Sequence, residues 1–130
     1  MDSRANTVLG SLVMKRFIAG LSALAAVAFS PVPIASAVPL VGSSGLAPNA
    51  WNLANYIQAN YPGVQSIGGV RSDRLPDHPS GHALDLMTGS NMGLGDTIAA
   101  DLRAKMADMG IKYILWRVPA HYDHVHVTVF

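Results

Sequence analysis

The stretch from Met14 to Ala37 constrains this chain most, because it sets aside a long segment that takes no part in a folded core. Met14-Lys15-Arg16 is basic, Phe17 to Phe29 is an apolar run of 13 residues, and Ile34-Ala35-Ser36-Ala37 ends in the small residues of an A-x-A site. That order is the order of a secretory signal peptide. The run also falls short of the roughly 20 residues that a membrane-crossing helix needs. The sequence therefore predicts a signal peptide over residues 1–37, with Met14 as an alternative start. It predicts an exported product with no membrane span after cleavage.

Cleavage after Ala37 leaves 93 residues, enough for one small core and not for two domains. The mean hydropathy of +0.28 belongs in part to the leader. Beyond it stand six basic and seven acidic residues, so the balance is close to neutral and predicts no nucleic-acid partner. There is no cysteine, which excludes disulfides, thiolate zinc sites and Cys nucleophiles. There is no glutamate either, so carboxylate chemistry must run on aspartate. All five histidines fall between positions 78 and 126, and that concentration is the first functional signal.

Residues 38–48, rich in Gly, Ser and Pro, read as a linker or an ordered arm, and residues 49–130 as the domain. Asn49 is a candidate cap for a helix with Ala50, Leu53, Ala54 and Ile57 at helical spacing. Tyr61-Pro62-Gly63 stops it. Val64 to Val70 is a short strand weakened by Gly68-Gly69, and Ser72 to Gly81 is a loop. Ala83 to Met87 alternates, with Leu84 and Leu86 on one side and Ala83, Asp85 and Met87 on the other. Asp96 is a candidate cap for a second helix with Ile98, Leu102, Met106 and Met109 along a stripe and Gly110 after its end. Ile111 to Trp116 reads as a strand. In the last strand Val125, Val127 and Val129 form one face, and His124, His126 and Thr128 the other. The expected fold class is α+β, with a small antiparallel or mixed sheet and two helices.

Two clusters carry chemistry: Asp77-His78-Pro79-Ser80-Gly81-His82-Ala83-Leu84-Asp85 and His121-Tyr122-Asp123-His124-Val125-His126. A catalytic zinc site uses three protein ligands, from imidazole and carboxylate, with one position left open. His78 precedes a Gly turn, Asp85 lies on the next strand beside small Ala83, and His126 lies on the polar face of the last strand. An adjacent strand brings the three together. Asp85, if buried, needs a partner or a metal. His82 reads as an ordinary surface or core histidine. Two histidines and one carboxylate also hold Fe(II), usually with His and Asp two apart, whereas here they are seven apart.

His78, Gly81, Ala83 and Asp85 stand as in the HxxGxAxD motif of the zinc D-Ala-D-Ala carboxypeptidases and related peptidoglycan peptidases. The ending His121-x-x-His124-x-His126 resembles the second signature of that clan, which includes the hedgehog signalling domain. The resemblance spans roughly Ile67 to Val129. It implies Zn²⁺ on His78, Asp85 and His126, and a small, mostly antiparallel sheet flanked by helices. It also implies a hydrolase of peptidoglycan stem peptides, which with the leader places the product outside the cell or in the bacterial cell envelope, and a monomer is expected. Many relatives carry glutamate three residues before the last ligand, where this chain has Asp123, and serine where it has Pro76.

The resemblance nominates Asp123 as the base, while strand alternation favours His124, which shares a face with His126; Asp123 ranks first and His124 second, as helper base or oxyanion stabiliser. If Tyr122-Asp123 lies in a turn, both reach the attacking water. His121 is a candidate for the metal's outer shell. Arg71 is a candidate for binding a substrate carboxylate, set against a surface arginine paired with Asp73 or Asp77. The alternative to an enzyme is a non-catalytic exported zinc- or cell-wall-binding module of the same fold. A metal-free polar cluster is the third reading.

Overall fold

The computed structural model describes residues 37–130, so the expected signal peptide lies outside the described residues apart from Ala37. The fold is α+β. Strands β1 (Leu40–Val41), β2 (Ser66–Gly68), β3 (Ala83–Met87), β4 (Ile111–Leu115) and β5 (His124–Val129) form one open sheet in the order β1-β2-β3-β5-β4. The β1–β2 pair is parallel and the other three are antiparallel, so the sheet is mixed. Helices α1 (Pro48–Asn60), α2 (Met92–Ala104) and the single-turn α3 (Met106–Met109) accompany it.

Residues 38–48 are the ordered arm and not a linker. Leu40 and Val41 pair with Ile67 and Gly68 of β2, Val38 is buried in the core, and Ala47 N–H donates to the Gly81 carbonyl. The arm is therefore part of the sheet. A two-residue strand lacks enough alternation to be read from sequence.

Helix α1 starts one residue before the expected cap. Ala47 takes the cap position and Pro48 the first turn, where a missing N–H costs nothing. Asn49 is inside the helix, and its side chain donates to the Phe130 carbonyl at 3.0 Å. Ala50, Leu53, Ala54 and Ile57 are the buried face, as their spacing predicts. Helix α2 is capped by Asn91, whose side chain accepts Leu94 N–H, and not by Asp96. Asp96 instead accepts Trp116 Nε1–H at 2.8 Å and both arms of the Arg117 fork. Gly110 ends α3 in the left-handed region, so the predicted stop holds, although Lys105 breaks the stripe into two helices.

One face of the sheet, with Leu84, Leu86, Val125, Val127 and Val129, joins Leu53, Ile57, Ile98 and Leu102 of the helices in a single core. The helices thus cover one face. A bulge between Ile111 and Tyr113 turns Ile111 and Ile114 toward that core. It leaves Tyr113 and Leu115 opposite Thr128 and His126 on the other face.

Candidate metal centre

That second face holds the polar residues. In the β3–β5 register Asp85 stands directly opposite His126, Met87 opposite His124 and Ala83 opposite Thr128. His78 comes from the loop above β3. His78, Asp85 and His126 are all buried, and one nitrogen or carboxylate oxygen from each lies within 4.8 Å of the others. The three residues singled out by spacing are the ones the structure brings together, and the group is suited to hold a metal ion.

The loop is held by tight backbone packing. Gly69 N–H donates to Val41 O and Val70 N–H to Gly42 O. A Cβ on Gly69 would lie 2.6 Å from Gly42 O, so only glycine lets the arm come this close. Gly81 has φ +80, and its Cβ would fall 2.1 Å from Gly45 O. Those two contacts place the His78 loop over the sheet.

His78 Nδ1 lies 2.8 Å from the Gly69 carbonyl, which can only accept, so Nδ1 carries the proton. Nε2 is then a lone pair. It points at Asp85 Oδ2 3.2 Å away, buried and, among the described residues, without a hydrogen bond. Two acceptors facing each other in a buried site call for a cation between them. Without a metal a proton fills the gap. Burial works against charged His78, but the Asp85 carboxylate and the Gly69 carbonyl outweigh it and raise the imidazole pKa. Burial would likewise push Asp85 up, but His126 and His78 outweigh it and hold the carboxyl well below the usual range.

The other expected residues divide. His126 Nδ1 sits 3.0 Å from Asp85 Oδ1. His124 Nε2 is 3.7 Å from the same oxygen, and its Nδ1 lies 2.7 Å from Asp123 Oδ1. The His124 side chain is 15% exposed and Asp123 65%. Asp123 precedes β5, and its carbonyl accepts Thr88 N–H, Thr88 Oγ1–H and Gly89 N–H, which fixes the start of the strand. The His124 hydrogen bond lowers the Asp123 pKa.

His121 donates Nδ1–H to Pro119 O and packs its ring 4.9 Å from His124 and 5.7 Å from His126. Among the described residues no hydrogen bond joins it to the triad. Arg71 is not a free guanidinium: it meets Asp85 Oδ2 at 3.2 Å and Asp73 Oδ2 at 3.4 Å. The pairing with Asp73 follows the expectation for a surface arginine, and that with Asp85 was not foreseen. His82 stays outside the triad, beside Ser80 Oγ at 2.9 Å.

Two residues escaped the sequence reading as parts of the site, and both meet Asp77 of the first cluster. Tyr113 stacks on His126 at 5.8 Å and 18°, and its hydroxyl donates to Asp77 Oδ2. Thr128 Oγ1 lies 2.8 Å from His126 Nε2. The Tyr113 hydrogen bond leads the causes that lower Asp77. The signal for Thr128 was its place on the His124–His126 face, whereas the bulge hid Tyr113. His78 and His126 line a cleft of about 420 Å³ whose walls also include Arg71, Leu75, Tyr113, His121 and His124.

The family profile of the VldE C-terminal domain matches residues 42–123. The matched stretch contains His78, Asp85 and Asp123 and ends just before His124 and His126. No curated protein and no solved structure matches the chain.

Proposed function

The chain belongs to the VldE C-terminal domain family, and we propose that it is an exported zinc-dependent peptidase acting on peptidoglycan stem peptides. One observation carries the reading: the buried, unpartnered His78 Nε2 faces the Asp85 carboxylate, with His126 completing the group. Two imidazoles and one carboxylate are the donor set of a catalytic zinc site with an open position. The hedgehog-type peptidase fold, the stem-peptide substrate and the bacterial cell envelope as the place of action rest on the resemblance of the two motifs. Export rests on the leader, and a monomer is the expected state.

Bound there, Zn²⁺ supplies Lewis acidity that polarises an amide carbonyl and makes water a nucleophile near neutral pH. The chain supplies the rest. Asp123 accepts Nδ1–H of His124, which leaves the Nε2 lone pair of His124 directed into the site. His124 takes the proton of the attacking water at Nε2 and returns it to the leaving amine. Asp123 orients His124 and steadies its charged form, so the two candidates share one task. Arg71 uses two of its donors on Asp85 and Asp73, and its half-exposed fork keeps others for a substrate carboxylate at the cleft.

The test is incubation of the purified chain with peptidoglycan stem peptides, read by mass spectrometry. The expected result is cleavage that a chelator stops, Zn²⁺ restores and Asp85→Ala loses. Metal uptake with no cleavage of any stem or cross-bridge peptide would overturn the peptidase and leave a zinc- or cell-wall-binding module. No metal uptake at all would make the cluster structural, with Arg71 and protonated His78 neutralising Asp85.

A further inference from the structure

Thr128 follows His126 by two residues on β5, so both side chains stand on the site face. The Thr128 hydroxyl oxygen is 2.8 Å from His126 Nε2 and 3.0 Å from Asp77 Oδ2. A hydroxyl owns one proton, and a carboxylate only accepts. Asp77 Oδ2 already takes the Tyr113 hydroxyl proton, so it has none to give. The Thr128 proton therefore goes to Asp77, and a lone pair of Oγ1 is left facing His126. Nε2 of His126 must be the protonated nitrogen. Its Nδ1 points at Asp85 Oδ1, beside the orphaned Nε2 of His78, so it is the nitrogen whose proton a bound metal would replace. Stacking of Tyr113 on one side and edge-on contact with His78 at 5.1 Å hold the ring plane that these bonds select.

From this geometry we infer that Thr128 and Asp77 are positioning residues, whose hydrogen-bonded chain makes His126 an Nδ1 ligand while Gly69 makes His78 an Nε2 ligand. A metal-bound histidine commonly donates its other N–H to a carboxylate or carbonyl, which fixes the tautomer and raises ligand basicity. Here the carboxylate is one residue removed, and the Thr128 hydroxyl passes its influence on. Asp85 cannot serve, because it is itself in the ligand set. The inference rests on the metal reading above and extends it to residues outside the triad.

Two measurements on the purified chain test it. One is Zn²⁺ affinity by competition with a chromogenic chelator. The other is the two-bond ¹H–¹⁵N spectrum of the Zn²⁺-loaded chain, which reports which nitrogen of each imidazole is protonated. Thr128→Val keeps the shape and removes the hydroxyl, and it should weaken Zn²⁺ about 10–100-fold. Thr128→Ser should recover most of that loss. The wild-type spectrum should show His126 protonated at Nε2 and His78 at Nδ1. Tyr113→Phe keeps the stacked ring and should leave the His126 tautomer unchanged. His126 protonated at Nδ1 would overturn the inference, as would folded Thr128→Val with wild-type affinity; in both cases the metal reading survives. If Thr128→Val does not fold, the wild-type spectrum and Thr128→Ser still decide. No Zn²⁺ uptake by the wild type overturns both readings. The expected tautomers without peptide cleavage support the inference and overturn only the peptidase.

Discussion

Asp85 and His126 are direct cross-strand partners, with Nδ1 of the histidine 3.0 Å from Oδ1 of the aspartate across the β3–β5 pair. The register does this work. A slip of one residue in either strand would carry its own residue, Asp85 or His126, to the opposite face and put a leucine or valine in the cleft. Burial of Leu84, Leu86, Val125 and Val127 against the helices therefore holds Asp85 and His126 in place.

Metal binding should stabilise the fold. Zn²⁺ at about 100 times its dissociation constant adds about 2.7 kcal/mol to a native state that alone binds it. For a domain of this size that raises Tm by on the order of 10 °C. Asp85→Ala should abolish the shift, and the shift should shrink as pH falls, because protons compete for His78. Thermal melts followed by circular dichroism, with and without chelator, check this; identical melts with and without Zn²⁺ would contradict it.

His124→Ala should lower kcat by about 10²–10⁴-fold, the usual worth of a general base. Asp123→Asn should cost less, since the exposed carboxylate acts through His124. Initial rates of peptide release give the comparison. A larger loss for Asp123→Asn would make Asp123 the base.

The turn that presents His121 is strained. His121 N–H donates to Val118 O at 2.8 Å, Pro119 takes the second position, and Ala120 has φ +67 where a type II turn favours glycine. Ala120→Gly should stabilise the protein by about 0.5–1 kcal/mol, because relief of left-handed strain exceeds the added chain entropy of glycine. Urea unfolding measures it, and a loss of stability would show that the turn bears no strain.

Asp101 joins α1 to α2 by accepting the hydroxyls of Tyr56 and Tyr61, both at 2.6 Å, and Lys105. Hydrogen bonding from Lys105, then from the tyrosines, lowers its pKa to about 2. A depressed carboxyl stabilises the fold above its unfolded pKa of about 3.9 and loses that contribution as pH falls through the folded value. The stability difference between wild type and Asp101→Asn should thus be greatest near neutrality and close as pH falls toward 2. Tyr61, pushed up to about 12 by burial and then by Asp101, gives the mirror case, losing its contribution as pH rises from 10 to 12. Unfolding midpoints across both windows check the signs.

Much of the site was legible in one dimension. The alternation of Ala83–Met87 and of His124–Val129 sorts Asp85 and His126 from the leucines and valines. Bringing Asp85 to His126 needed only the further step that the two strands be neighbours, whereas His78 had to be placed by its loop. The first-helix core face was legible for the same reason, since Ala50, Leu53, Ala54 and Ile57 repeat at helical spacing. The caps were not: Asn49 and Asp96 are good capping types, but contacts with Phe130, Trp116 and Arg117 claim them instead.

The amino-acid sequence by itself determined the absence of thiol and glutamate chemistry, the α+β class and the residue types, two histidines and an aspartate, that meet at the site. All of these follow from residue type and local period. Only the tertiary structure decided that residues 38–48 are a strand-bearing arm and that Gly69, pinned by that arm, orients His78. It alone coupled Asp123 to His124, and Thr128 and Asp77 to His126. These contacts depend on strand order, a bulge at β4 and backbone approaches between distant segments. A local pattern carries no record of them, because each is set by packing between residues far apart in the chain.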